Sequence, residues 1–209
     1  MPQWTFLPHA QQMCQNWSSR SRSPRSCAVT KKKIPKVVSF DDFLPPTLYW
    51  DASFVINFAY PAARYHRQAR AYLDRLNAAY TISYPSTLTF DEVYFILLEA
   101  RIAEDHPGRK FWRIYNANHA VIAPYLDELQ ALAEELYTHP QVRVVAADPA
   151  LVTDVVEDMR CYHLLPRDAF HLAIMRHHGI TNLATMDADF LTVPDPILHT
   201  CVPTLLGLP

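Results

Sequence analysis

Along the chain the spacing of apolar positions changes from segment to segment, and each change marks an element. "TLYWDAS" (47–53) reads as a short strand. "AARYHRQARAYLDRLNAA" (62–79) follows Pro61, is rich in good helix formers and repeats its apolar residues at helical spacing. "YTISYPS" (80–86) predicts a second strand, and "TLTFDEVYFILLEARIA" (87–103) a helix apolar almost all round, hence buried. Residues 109–138 predict one or two further helices with a break at Pro124, and "VRVVA" (142–146) a β-branched strand. Two more helices follow at 149–163 and 166–178, the second closed by Gly179. "TNLAT" (181–185) and "PILHT" (196–200) are the last strands. Strands alternating with helices predict an α/β fold, a doubly wound parallel sheet with helices on both faces.

Residues 1–46 show no sustained period, include "SSRSRSPRS", and are expected to form a disordered basic extension before a domain at 47–204. The extension lacks acids, as a transit peptide does, but has no clear amphipathic helix and no apolar secretory core. A translation start placed too far upstream would give the same pattern.

Charge sharpens this division. Residues 1–40 hold seven cations and no acid, so a net charge of −2 conceals an acidic body of net −9. A body that collects carboxylates needs a reason, and divalent metal is one. Only three glycines occur, Gly108, Gly179 and Gly207, so neither glycine loop for dinucleotide or NTP phosphates can be written. The four cysteines make no C-x-x-C pair, and neither a disulfide framework nor a zinc site can be read from their spacing. No apolar run approaches the ~20 residues of a membrane span, and a reducing, cytoplasmic setting is expected.

Chemistry in such a sheet gathers at the carboxyl ends of the strands. Asp51 closes the first strand, and Asp187 follows the strand before "TMDADF". Asp168 lies in the first turn of a helix, and Glu92 sits among Leu88, Phe95 and Ile96. Each has a second reading: a helix cap for Asp51, a turn residue for Asp187, a dipole partner for Asp168 and an arginine salt bridge for Glu92. Carboxylates held together repel unless a cation sits among them, and Mg²⁺ or Mn²⁺ suits oxygen donors. The chemistry expected is metal-assisted hydrolysis of a phosphodiester.

Four short motifs carry a resemblance: "WDASFVI", "LTFDEV", "RDAFHLA" and "TMDADF", in that order. Together they resemble the PIN-domain ribonucleases, and among them the VapC-type toxins, from about residue 47 to 202. The resemblance implies a five-stranded parallel sheet and a Mg²⁺-dependent endoribonuclease acting on RNA, often dimeric and neutralised by a small antitoxin. It selects Asp51, Glu92, Asp168 and Asp187 as catalytic and metal-binding, with Ser53 after the first acid; Asp189 is assigned a supporting role. The basic extension and the long helical stretch at 101–138 depart from the compact toxins.

Other residues carry weaker signals. His171, one turn after Asp168, reads as packing rather than as a ligand, and His177 and His178 as polar residues of a helix end. Arg64, Arg67, Arg70 and Arg75 form a basic face that is either solvated or holds RNA phosphates. "TMDADF" also fits the D-x-D of haloacid-dehalogenase-type phosphatases, but that motif opens its domain and here it lies near the C-terminus. A second function class is a PIN-like RNA-binding or scaffold protein that does not cut.

Overall fold

The computed structural model describes residues 35–208. Five strands form one all-parallel sheet: β1 (Lys36–Ser39), β2 (Thr47–Trp50), β3 (Ile82–Pro85), β4 (Asn182–Ala184) and β5 (Ile197–Thr200), in the order β1-β5-β4-β2-β3. The helices are α1 (Ala52–Ala59), α2 (His66–Ala78), α3 (Thr87–Asp105), α4 (Phe111–Ala117), α5 (Leu126–Thr138), α6 (Val152–Tyr162) and α7 (Pro166–His177). Among the described residues no helix is long and apolar enough to cross a membrane.

The strands separate their side chains between two cores because successive residues of a strand point to opposite faces. Leu48, Trp50 and Ala184 face α1, α2 and α3, whereas Tyr49, Leu183 and Leu198 face α6 and α7. A third cluster, Ile102 with Phe111 and Ile114, anchors α4 onto the far half of α3. Gly179, at φ +66°, follows α7 where a left-handed residue ends the helix.

Three expectations need correction. Residues 36–40 belong to the fold, which therefore does not start at residue 47: β1 pairs with β5, Val38 and Phe40 are buried, and Phe40 stacks on Tyr72 with centroids 4.0 Å apart. Arg75 donates to the carbonyls of Phe40 and Asp42 and holds the loop after β1, so it is not part of a free basic face. Residues 1–34 of the expected extension lie outside the described region. Secondly, the strand expected over 47–53 stops at Trp50, and "ASFVINFA" after it is the helix that Asp51 caps.

Thirdly, 142–146 runs beside β3 but makes only two isolated bridges, Ser83 with Val142 and Ser86 with Val145. The Ser83 N–H donates to Gln141, Arg143 N–H to Ser83, Val145 N–H to Pro85 and Thr87 N–H to Val145. The rung missing from this ladder is the one Pro85 would donate, and proline has no N–H. The long helical stretch resolves into α4, a 3₁₀ segment at His119–Tyr125 containing Pro124, and α5.

Candidate active site

The strand order reverses direction at β2, whose neighbours are β3 on one side and β4 on the other. Their carboxyl ends open a crevice there, and the chain sends an acid into it from each side. Asp51 follows β2 and caps α1, accepting the Ala52 N–H at 2.8 Å. Its other oxygen accepts Ser53 Oγ–H at 2.5 Å and Thr185 Oγ–H at 2.8 Å. The cap reading of Asp51 is therefore correct as far as it goes, but three donors from two strand ends fix a carboxylate that is only 6% exposed.

Thr185 ties the two sides together. While it donates to Asp51, its oxygen accepts the Asp187 N–H at 2.9 Å, and Ser53 Oγ accepts the Met186 N–H at 2.9 Å. Asp187 Oδ1 in turn accepts the Asp189 N–H at 3.1 Å. Thr185 stands in "TMDADF" as the first residue of the motif, and its position was visible, but nothing in the sequence said which carboxylate it holds.

Asp168 comes from the first turn of α7, after Pro166. Its carboxyl group is half-buried and takes no hydrogen bond from the described residues. Loss of water, then the charges of Asp51, Asp187 and Asp189, push it up to about 6, with His171 opposing them. Asp187 keeps solvent contact as a residue, yet protein atoms crowding its carboxyl raise it too, helped by Asp189 and Asp51 and opposed by backbone N–H groups. Asp51, Asp168, Asp187 and Asp189 thus share one electrostatic field.

Glu92 enters from the second turn of α3, a helix fixed to the site by its first residues. Ser86 caps it in a capping box with Thr89, and Thr89 Oγ–H donates to the Trp50 carbonyl at 3.0 Å. Glu92 accepts from His171 Nε2 at 2.9 Å, and Arg167 stands 3.9 Å away, closer to Asp91 at 3.3 Å. The side chain of Asp91 is 65% exposed and that of Glu92 15% exposed, so the two consecutive acids face different surroundings. The arginine reading of Glu92 holds only loosely; its close partner is a histidine.

His171 is fully buried, as packing demands, but it is more than filler. The Tyr49 oxygen lies 2.7 Å from His171 Nδ1 and 2.7 Å from Ser86 Oγ. A carboxylate only accepts, so Nε2 carries the proton shared with Glu92. Tyr49, His171 and Glu92 make a buried chain that orients the carboxylate, a role missed because one-turn spacing from Asp168 drew attention to the wrong acid. Burial raises the Tyr49 hydroxyl, which stays protonated.

Among the described residues no three His, Cys, Asp or Glu side chains stand close enough to enclose an ion. The donor set nonetheless has the chemistry of a hard-cation site: oxygen donors, mutual repulsion, and an Asp168 carboxyl that no described residue serves as donor. An ion of the Mg²⁺ type fits it, because Mg²⁺ takes one or two carboxylates and keeps water and phosphate for its other positions.

The PIN-domain sequence profile matches residues 48–196. The chain belongs to the PIN-domain family. No curated protein matches this PIN domain by sequence. Among solved structures it is similar to VapC20 of Mycobacterium tuberculosis, a toxin that cleaves the sarcin-ricin loop, at 19% identity and a TM-score of 0.48, covering 71% of this chain and 95% of that one. FitAcB from Neisseria gonorrhoeae matches at 16% identity and a TM-score of 0.46, over 73% and 96%. VapBC2 from Rickettsia felis, bound to a DNA fragment from its promoter, matches at 9% identity and 0.45, over 74% and 98%.

Proposed function

We propose that this PIN domain is a Mg²⁺- or Mn²⁺-dependent endoribonuclease, and that Asp51, Glu92, Asp168 and Asp187 form its catalytic and metal-binding set. The observation that carries the reading is Asp168: a half-buried carboxyl without a hydrogen-bond donor among the described residues, raised to about 6 by burial and by the acids around it. Its place in the first turn of α7 also suits the helix dipole, but the neighbouring acids raise its cost, and a cation relieves that.

When bound, the ion supplies Lewis acidity at the phosphodiester and a more acidic water. The chain's own residues do the rest. Asp51, immobilised by Ala52 N–H, Ser53 and Thr185, presents fixed oxygens. Asp187, steered by Thr185 and by Asp189 N–H, sets the opposite wall, with Ser53 and Asp189 in support. Glu92 is aimed by His171 and contributes a carboxylate from the α3 side.

The ordered motifs further support a toxin role, with a small antitoxin and a second copy of the chain as partners. The test is cleavage of a single-stranded RNA by the full chain. Cleavage that requires Mg²⁺ or Mn²⁺ and stops with EDTA is expected. Activity that survives exhaustive chelation would remove the metal mechanism, and RNA binding without any cleavage would leave a non-catalytic RNA-binding protein.

A further inference from the structure

One turn beyond Glu92 on α3, Phe95 packs against the tryptophan of "RKFWR". α4 turns Phe111 and Ile114 inward, 8% and 5% exposed, onto Ile102. Those two residues hold the helix, and its outward residues are free of that duty. Trp112 and Arg113 of the helix, and Arg109 and Lys110 just before it, are all exposed, with Trp112 57% exposed.

A single exposed tryptophan is ordinary on a protein surface. This one has two aromatic rings packed against it. Phe95 lies 5.8 Å from it, centroid to centroid, and Phe111 lies 5.1 Å away with its ring nearly perpendicular. A ring packed in this way offers binding area at little cost in side-chain freedom.

The cations around it are uncommitted. Among the described residues Arg109, Lys110 and Arg113 make no ion pair, and neither does the exposed Glu99 of α3 with any of them. The nearer acids at the end of α3 are engaged elsewhere: Glu104 with Arg101 and Tyr60, Asp105 with Tyr125. Three positive side chains within a turn of this indole match a strand of negative phosphates carrying flat bases. An acidic protein segment can meet the cations, but only a nucleic acid strand brings a flat base with every phosphate.

We propose that Trp112, with Arg109, Lys110 and Arg113, is a platform for unpaired RNA, a base stacking on the indole while the cations take flanking phosphates. The platform rests on the nuclease reading only for direction: a strand leaving the acid crevice past Glu92 crosses Phe95 and reaches Trp112. Duplex RNA, with its bases stacked internally, does not use it.

The experiment measures binding of a fluorescein-labelled single-stranded oligoadenylate to the full chain in EDTA, by anisotropy, so that cleavage plays no part. Trp112→Ala is expected to weaken binding about 5- to 150-fold and Trp112→Phe to recover much of it. Replacing Arg109, Lys110 and Arg113 with Gln touches no core residue, so it tests the platform even where Trp112→Ala folds poorly. It should weaken binding and flatten its salt dependence, by about 0.7 in log–log slope for each phosphate no longer held.

Binding by both Trp112→Ala and the triple variant equal to wild type overturns the platform and leaves this face to a protein partner. Equal losses on oligoadenylate and on its duplex with oligouridylate also overturn it, since stacking is then absent. A wild-type chain that cleaves RNA with Mg²⁺ while the variants bind normally loses the platform and keeps the nuclease. A chain that never cleaves but depends on Trp112 for binding does the reverse.

Discussion

Two buried histidines, on opposite faces of one sheet, are wired alike and end differently. On the α7 face the Tyr49 oxygen lies 2.7 Å from His171 Nδ1, and Nε2–H donates to Glu92 at 2.9 Å. On the α2 face His199 takes the Tyr72 hydroxyl at Nδ1, 3.0 Å away, and gives Nε2 to the Asn182 side-chain oxygen at 3.0 Å. Both histidines are fully buried. The first chain ends in a carboxylate at the mouth of the crevice, the second in a neutral amide within the fold. Burial, with Lys36 adding to it, lowers His199 to about 4, and it stays neutral. A satisfied core histidine and a positioning histidine therefore cannot be told apart by burial or by their tyrosine. The last acceptor decides.

The largest effect should come from giving the first chain the ending of the second. Glu92→Gln should lower RNA cleavage by more than the roughly 10–100-fold typical of residues behind a metal ligand, with the melting temperature retained. Asp91→Asn, on the exposed neighbour, should leave most cleavage intact. Loss with Asp91→Asn but not with Glu92→Gln would show that α3 presents the other acid.

Next, the two histidines should fail in different ways. His171→Ala should weaken Mn²⁺ binding about 10- to 100-fold by calorimetry, and His171→Gln, which can still donate to Glu92, should restore part of it. His199→Ala should leave Mn²⁺ affinity unchanged and cost about 2–4 kcal/mol in urea unfolding, from a buried cavity and an abandoned tyrosine. Matching losses of metal affinity would dissolve the distinction.

The pH dependence should separate them further. His199 has a folded value of about 4 against an ordinary 6.5, so the fold binds its proton less readily than the unfolded chain. Its contribution is complete above pH 6.5 and is lost as pH falls toward 4, roughly 3 kcal/mol in all. His199→Gln should flatten that part of the acid-unfolding curve.

The smallest effect has the opposite sign. Asp168, raised from 3.8 to about 6, binds its proton more readily in the fold, so its contribution is full below 3.8 and lost as pH rises through 6. Metal-free Asp168→Asn should melt slightly higher than wild type at neutral pH, the gain fading toward pH 3.8, while its cleavage falls. A lower melting temperature at neutral pH would mean that the acid helps the fold.

What the sequence disclosed follows from how local each signal is. Asp51 and Asp187 were legible because a strand and the acid ending it are contiguous, and a parallel sheet fixes where such ends meet. "KVVS" was not. It is four residues among cations and prolines, and it becomes a strand only because β5, far along the chain, offers it an edge. "ASFVINFA" is only eight residues long, with Ser53 and Asn57 as its polar positions, too short a window for periodicity to mark as a helix. The strand expected at 142–146 was nearly present, and one proline in its neighbour made the difference. At the site, carboxylates announced themselves by type, whereas Thr185 and the His171 chain work through hydrogen bonds between residues 134 and 79 positions apart.

The bond from Thr185 to Asp51 also has a consequence for how the molecule is made. Asp51 leaves the ribosome early, and the hydroxyl that seats it arrives 134 residues later. At about 5–20 residues per second that interval is on the order of 10 s. Throughout it β2 lacks β4, the strand that lies beside it in the finished sheet, and Asp51 faces water rather than Asp187. A product cut short before β4 has Asp51, Glu92, Asp168 and the helices between them, and still no crevice. The acids of the two strand ends meet only once synthesis has passed β4.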